Sequence, residues 1–184
     1  RHEVPNYVAP YPYEKGPQNS MYADMTQDQI VDMFKSECEK VGTKYVTTDK
    51  AHLTETLLNA IKEQGGGKVI YPAGELTAEY KLEDAFKTVD SSEATFIKWD
   101  ASKGRQANID EAKVAEIGIT FPVLGIAETA TVIQPSTVES GSSVGLLPLT
   151  HIAILHTNTI VPRMTQSMAT LRTVYNEAPA EFPS

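Results

Sequence analysis

Residues 53–71 read LTETLLNAIKEQGGGKVIY, and this stretch decides the fold class. Leu53, Leu57, Leu58 and Ile61 recur at helical spacing, with Asp49 upstream as a candidate cap. Gly65-Gly66-Gly67-Lys68 then breaks the pattern. In a phosphate-binding loop such glycines follow a strand and open a helix. Here they follow a helix and precede the apolar run Val69-Ile70-Tyr71, so they end a helix and lead into a strand.

The same alternation extends in both directions. Upstream, Thr26 and Gln29 have the spacing of a capping box. Ile30, Met33, Phe34, Cys38 and Val41 follow at helical spacing, and Gly42 can close that helix. Cys38 then reads as a small core residue. A short strand is expected from Tyr45-Val46, another at Thr95–Trp99, and a helix from Ile109 to Ile117. Helices alternating with strands predict a mostly parallel sheet covered on both faces. After Gly118 the texture changes. Ile119-Thr120-Phe121, Ile126–Ile133 and His151–Leu155 read as strands, with no room for a helix between the first two. An antiparallel element is therefore expected within residues 118–155. The last helix is expected from Ile160 to Tyr175, with Arg163 and Arg172 on it, before a loop-like tail.

The expected organisation is one α/β domain over residues 25–184, preceded by an arm over residues 1–24. Pro5, Pro10, Pro12 and Pro17 keep that arm from being helical. It reads as an extended segment on the domain surface, or as a lid or dimer-exchange arm. The charged content of 22% and hydrophobic content of 41% predict a folded chain. A net charge of -8 disfavours non-specific nucleic-acid binding, which needs a basic surface. One cysteine supplies neither a disulfide nor the thiolate set of an iron–sulfur cluster. No apolar run approaches the roughly 20 residues of a membrane span. No signal peptide is recognisable, and the expectation is a cytoplasmic chain with no metal and no dinucleotide cofactor, since no G-x-G-x-x-G follows a strand.

Residues 125–133, GIAETATVI, place a carboxylate inside a run of small and β-branched residues. Read as one strand, Ile126, Glu128, Ala130 and Val132 share a face. A glutamate there is costly unless a cation or donor pairs with it. Glu128 is therefore a candidate functional carboxylate, against the alternatives of a structural hydrogen-bonded residue or a solvent-facing one. The candidate ligand-binding residues around it are Thr129, Thr131, Ser140, Gly141, Ser142, Ser143 and His151. The loop Ser140–Ser143 offers hydroxyls and backbone N–H groups to a small carboxylate or phosphorylated ligand, or is simply a polar turn. His151 opens an apolar strand, as a packed residue or as an acid–base group.

GIT at 118–120, GIAETATVI, the Gly/Ser loop at 140–143, LLPLTHIAIL at 146–155 and IVPRM at 160–164 together resemble the lactate utilisation protein C family, the LUD-domain group. Its members typically read G-[VI]-T, A-I-A-E-T-G-T, a Gly-rich loop, L-x-P-x-x-H-I and a V-P helix. The resemblance implies an α/β fold of the NagB/RpiA/CoA-transferase-like type. It also implies a component of L-lactate oxidation to pyruvate, accessory or small-molecule-binding, with iron–sulfur clusters in partner proteins and none in this chain. A homo-oligomer is a further possibility. By analogy with CoA transferases, Glu128 is alternatively the nucleophile or base of a stand-alone acyl-transfer or sugar-phosphate-isomerising enzyme. Two departures stand out. The family has glycine where this chain has Ala130. Members also continue with an S-G-P-S-x-T-x-D-I-E segment that this sequence does not contain, so the C-terminal part of the family domain is expected to be missing.

Overall fold

The computed structural model describes residues 20–177. The Pro/Tyr-rich arm up to Asn19, with His2, and the tail from Ala178 lie outside the described residues. In chain order the helices are α1 (Gln27–Lys40), α2 (Leu53–Glu63), α3 (Glu75–Glu79), α4 (Leu82–Phe86), α5 (Gly104–Lys113), α6 (Ser143–Leu146) and α7 (Met164–Glu177). The strands are β1 (Gly67–Tyr71), β2 (Ala94–Lys98), β3 (Ile117–Thr120), β4 (Leu124–Ile126), β5 (Thr131–Ile133), β6 (Thr150–Ala153) and β7 (Ile160–Val161).

The fold is α/β. The main sheet has the order β2-β1-β3-β6, and its pairs are all parallel. Parallel strands between two helical layers are buried on both faces. Accordingly β3 is buried at all four residues, and Val69 and Ile70 of β1 are fully buried. One face carries Val69, Tyr71, Ile117 and Ile119 against Leu53, Leu57 and Ile61 of α2 and Leu82 and Phe86 of α4. The other packs Ile70 against Ala112 of α5 and Val144 of α6. Gly118 lets α6 lie flat on β3. A Cβ there would fall 1.9 Å from the Val144 carbonyl oxygen.

A second sheet of order β5-β4-β7 leaves the end of β3. Helix α1 covers it through Ile30, Val31, Phe34 and Cys38, against Ala127 and Ile160. Thr26 caps α1 in the expected capping box, its Oγ1 accepting from Gln29 N–H at 3.3 Å while Gln29 Oε1 accepts from Thr26 N–H at 2.8 Å. The triglycine segment ends α2 and leads into β1 as read.

Several expectations are corrected. Tyr45-Val46 is not in a strand, because Tyr45 instead packs edge-on against Phe34 with centroids 6.1 Å apart. Asp49 does not cap α2 itself; its carboxylate accepts from the N–H of His52, the N-cap residue. The helix placed at Ile109–Ile117 is α5, which runs earlier, from Gly104 to Lys113, and Ile117 belongs to β3. The chain turns at Glu116, whose carboxylate accepts from Lys68 N–H at 2.5 Å and whose N–H donates to the Lys68 carbonyl at 2.9 Å, and this locks β3 beside β1. The last helix starts at Met164, because Ile160 and Val161 pair with β4 first. The antiparallel element within 118–155 is present as β4–β5, but in the second sheet; β3 and β6 from the same stretch are parallel strands of the main one.

Candidate functional site

The run 125–133 is not one strand. β4 ends at Ile126, Ala127–Thr129 form a 3-10 turn, and β5 returns antiparallel with Leu124 opposite Ile133. Ala130 makes the reversal at φ 49° and ψ 36°, in the left-handed region. That region favours glycine, which accounts for the glycine in the family pattern. Glu128 therefore shares no strand face with Ile126, Ala130 and Val132. The run looks continuous because its small and β-branched residues suit either arrangement.

The turn carries Glu128 to the start of α7. Its N–H donates to the Pro162 carbonyl at 3.1 Å, and its Oε2 lies 2.8 Å from Arg163 Nε. The side chains are 22% and 25% exposed, so most of the pair is out of water. The Arg163 Nε–H is shut off from solvent yet not aligned to donate to Glu128. Nη1 donates to the thioether of Met21, a weak acceptor. The guanidinium thus keeps donor capacity. In the same turn as Glu128, the Thr129 and Thr131 hydroxyls lie 2.9 Å apart on the exposed side.

The other candidate residues lie elsewhere. Ser140 is buried in a turn with Thr137, its N–H donating to Thr137 Oγ1 at 3.1 Å. Gly141 lies against Trp99, where a Cβ would come within 2.3 Å of the ring. Ser142 is exposed ahead of α6, and Ser143 is the first residue of α6. His151 lies on β6 with its Nε2 2.7 Å from Thr120 Oγ1, under Gly145 of α6. The residue as a whole is exposed, but this inner edge is not, and burial pushes the imidazole below the ordinary histidine range. Among the described residues, no hydrogen bond or ion pair joins Glu128 to Ser140–Ser143 or to His151. Arg163 and Met21 are the residues that the sequence did not bring to Glu128. Arg163 stands in the quoted IVPRM stretch, but its pairing spans 35 positions and has no local signature.

Among the described residues, no group of three or more His, Cys, Asp and Glu is placed to hold a metal ion. Among the described residues, no helix is long and apolar enough to cross a membrane.

A family model described as LUD domain matches residues 31–182. Lactate utilization protein C of Bacillus licheniformis is 38% identical over 170 residues, covering 92% of this chain and 68% of that protein. The protein of the same name in Bacillus subtilis is 38% identical over 157 residues, 85% of this chain and 65% of its own length. The chain thus spans about two thirds of these relatives. A crystal structure of a DUF162 family protein from Deinococcus radiodurans has the same fold, with a TM-score of 0.64 at 19% identity over 84% of this chain and 85% of that one.

Proposed function

The chain belongs to the LUD domain family, and from that premise we propose that it serves lactate utilisation as a subunit that binds a small carboxylate at the Glu128–Arg163 pair. In this proposal it works in the cytoplasm beside iron–sulfur proteins that carry the electron transfer. The relatives named lactate utilization protein C support the pathway.

One observation carries the site: Arg163 is held largely out of water with its Nε–H unaligned to any acceptor. A guanidinium binds a carboxylate through two parallel N–H donors, and burial strengthens that contact. A 2-hydroxy acid seated on Arg163 would present its hydroxyl to Glu128, a carboxylate acceptor. Thr129 and Thr131 would hydrogen-bond the ligand at the exposed rim. The role of these residues is to bind and orient.

Calorimetric titration with L-lactate and pyruvate tests the site. The unmodified chain is expected to bind at least one of them, and Arg163→Met to bind it roughly tenfold more weakly or not at all. Equal binding by both forms, or none by either, would sink the proposal. Pull-down from lactate-grown cells tests the partners, with iron–sulfur proteins expected in the eluate. A mass increment on Glu128 after incubation with an acyl-CoA would instead favour the acyl-transfer alternative.

A further inference from the structure

A cleft of about 700 Å³ opens at the C-terminal ends of β1 and β2, apart from the Glu128–Arg163 pair. Trp99, Asp100 and Lys103 come from the segment after β2, Glu111 from α5, and Glu139 from the loop over β1. That loop is tied down by Ala73 N–H, which donates to the Glu139 carbonyl at 2.9 Å. Open parallel sheets bind ligands in the crevice outside the carboxyl ends of their strands. The volume suits a small molecule.

The walls are specific in their chemistry. Trp99 is held in orientation by its Nε1–H, which donates to the Val138 carbonyl at 2.9 Å, and by Gly141 against its ring. Asp100 is already committed to its own turn, where its Oδ1 accepts from Ser102 N–H and Oγ at 2.9 and 2.6 Å. Glu111 is not fully committed. Its Oε1 accepts from Lys103 Nζ at 2.8 Å, while its Oε2 is buried with no partner. A buried carboxylate oxygen without a donor is costly. Glu111 lines the cleft, so a donor group seated there can meet this carboxylate. Three carboxylates and two ammonium groups line the cleft, which favours a ligand that offers neutral donors over a bare anion.

We propose that this cleft binds the nucleoside end of a ribonucleotide, with its base against Trp99 and its ribose hydroxyls donating to Glu111. Aromatic side chains accept any base face. An acidic side chain near the end of the second strand of a βαβ unit takes ribose hydroxyls in dinucleotide-binding folds. Here α5 supplies the acid.

Trp99 is the only tryptophan in the chain, so its emission reports on the cleft. The full chain is titrated with adenosine and with 2′,3′-dideoxyadenosine, with excitation at the red edge where adenine does not absorb. A saturable change with adenosine is expected. Dideoxyadenosine is expected to bind roughly tenfold more weakly, and Glu111→Ala to weaken adenosine to a similar extent. Absence of a saturable response to adenosine overturns the site. Equal affinity for the dideoxy compound, or for Glu111→Ala, overturns the ribose contact. Glu128→Gln is expected to bind adenosine as the unmodified chain does, so failure here is distinct from failure of the carboxylate site.

Discussion

Replacing Glu128→Gln, Arg163→Met and both together measures what their contact contributes. The charged atoms are 2.8 Å apart, on side chains 22% and 25% exposed. Fully exposed ion pairs are worth about 0.2–1 kcal/mol. Removing one partner of a fully buried pair costs about 3–5 kcal/mol. The burial here lies between these limits, and the unaligned Nε–H lowers the gain. Each single substitution is therefore expected to cost about 1–2 kcal/mol, and a chain of this size loses about 2–4 °C in Tm per kcal/mol. The double variant is expected to cost about 1 kcal/mol less than the two singles together, since the second substitution removes a group already unpaired. Urea unfolding followed by circular dichroism gives the cycle. At 1 M salt the screening length is about 3 Å, so only the exposed share of the coupling is expected to fade. A coupling below about 0.3 kcal/mol at low salt would refute the reasoning, because the two charges would then be independent.

Three further outcomes follow from particular residues. Ala130→Gly relieves a left-handed conformation worth about 1–2 kcal/mol against a glycine entropy cost of about 0.5–1 kcal/mol, so urea unfolding should show unchanged or raised stability, by up to about 1 kcal/mol; a clear loss contradicts the turn geometry. Because burial holds His151 below its ordinary range, the unfolded chain takes up that proton first as pH falls; the stability tied to it is complete above about pH 6.5 and declines below, and His151→Gln should flatten that decline in thermal melts across pH, whereas an unaltered slope counts against it. Cys38 is 2% exposed and its thiol is pushed up by burial, so a disulfide-exchange reagent should label it only after denaturant is added; rapid labelling of the native chain contradicts its place on the buried face of α1.

Much of the fold is legible along the chain. The capping box at Thr26 and Gln29, the α2 stripe and the triglycine stop are local signals, each confined to a turn or two of chain, and they appear where their chemistry puts them. The shortest helices are not legible: α3, α4 and α6 have five, five and four residues, too few to display a period. The candidate site was half legible. Glu128 stands out as a carboxylate among apolar neighbours, but its orientation depends on a reversal at Ala130 that alternation alone hides.

By itself, then, the sequence determined the class of elements and the parallel sheet, because propensity, capping and periodicity act between residues a few positions apart, while its motifs carried the family resemblance. Tertiary structure alone decided that GIAETATVI is two antiparallel strands and a turn, and that Glu128 meets Arg163. The reason is physical. A run of small and β-branched residues satisfies its backbone in several ways, and the choice is made by distant partners: β7, which pairs with Gly125 and Ile126, and the Pro162 carbonyl, which takes the Glu128 N–H.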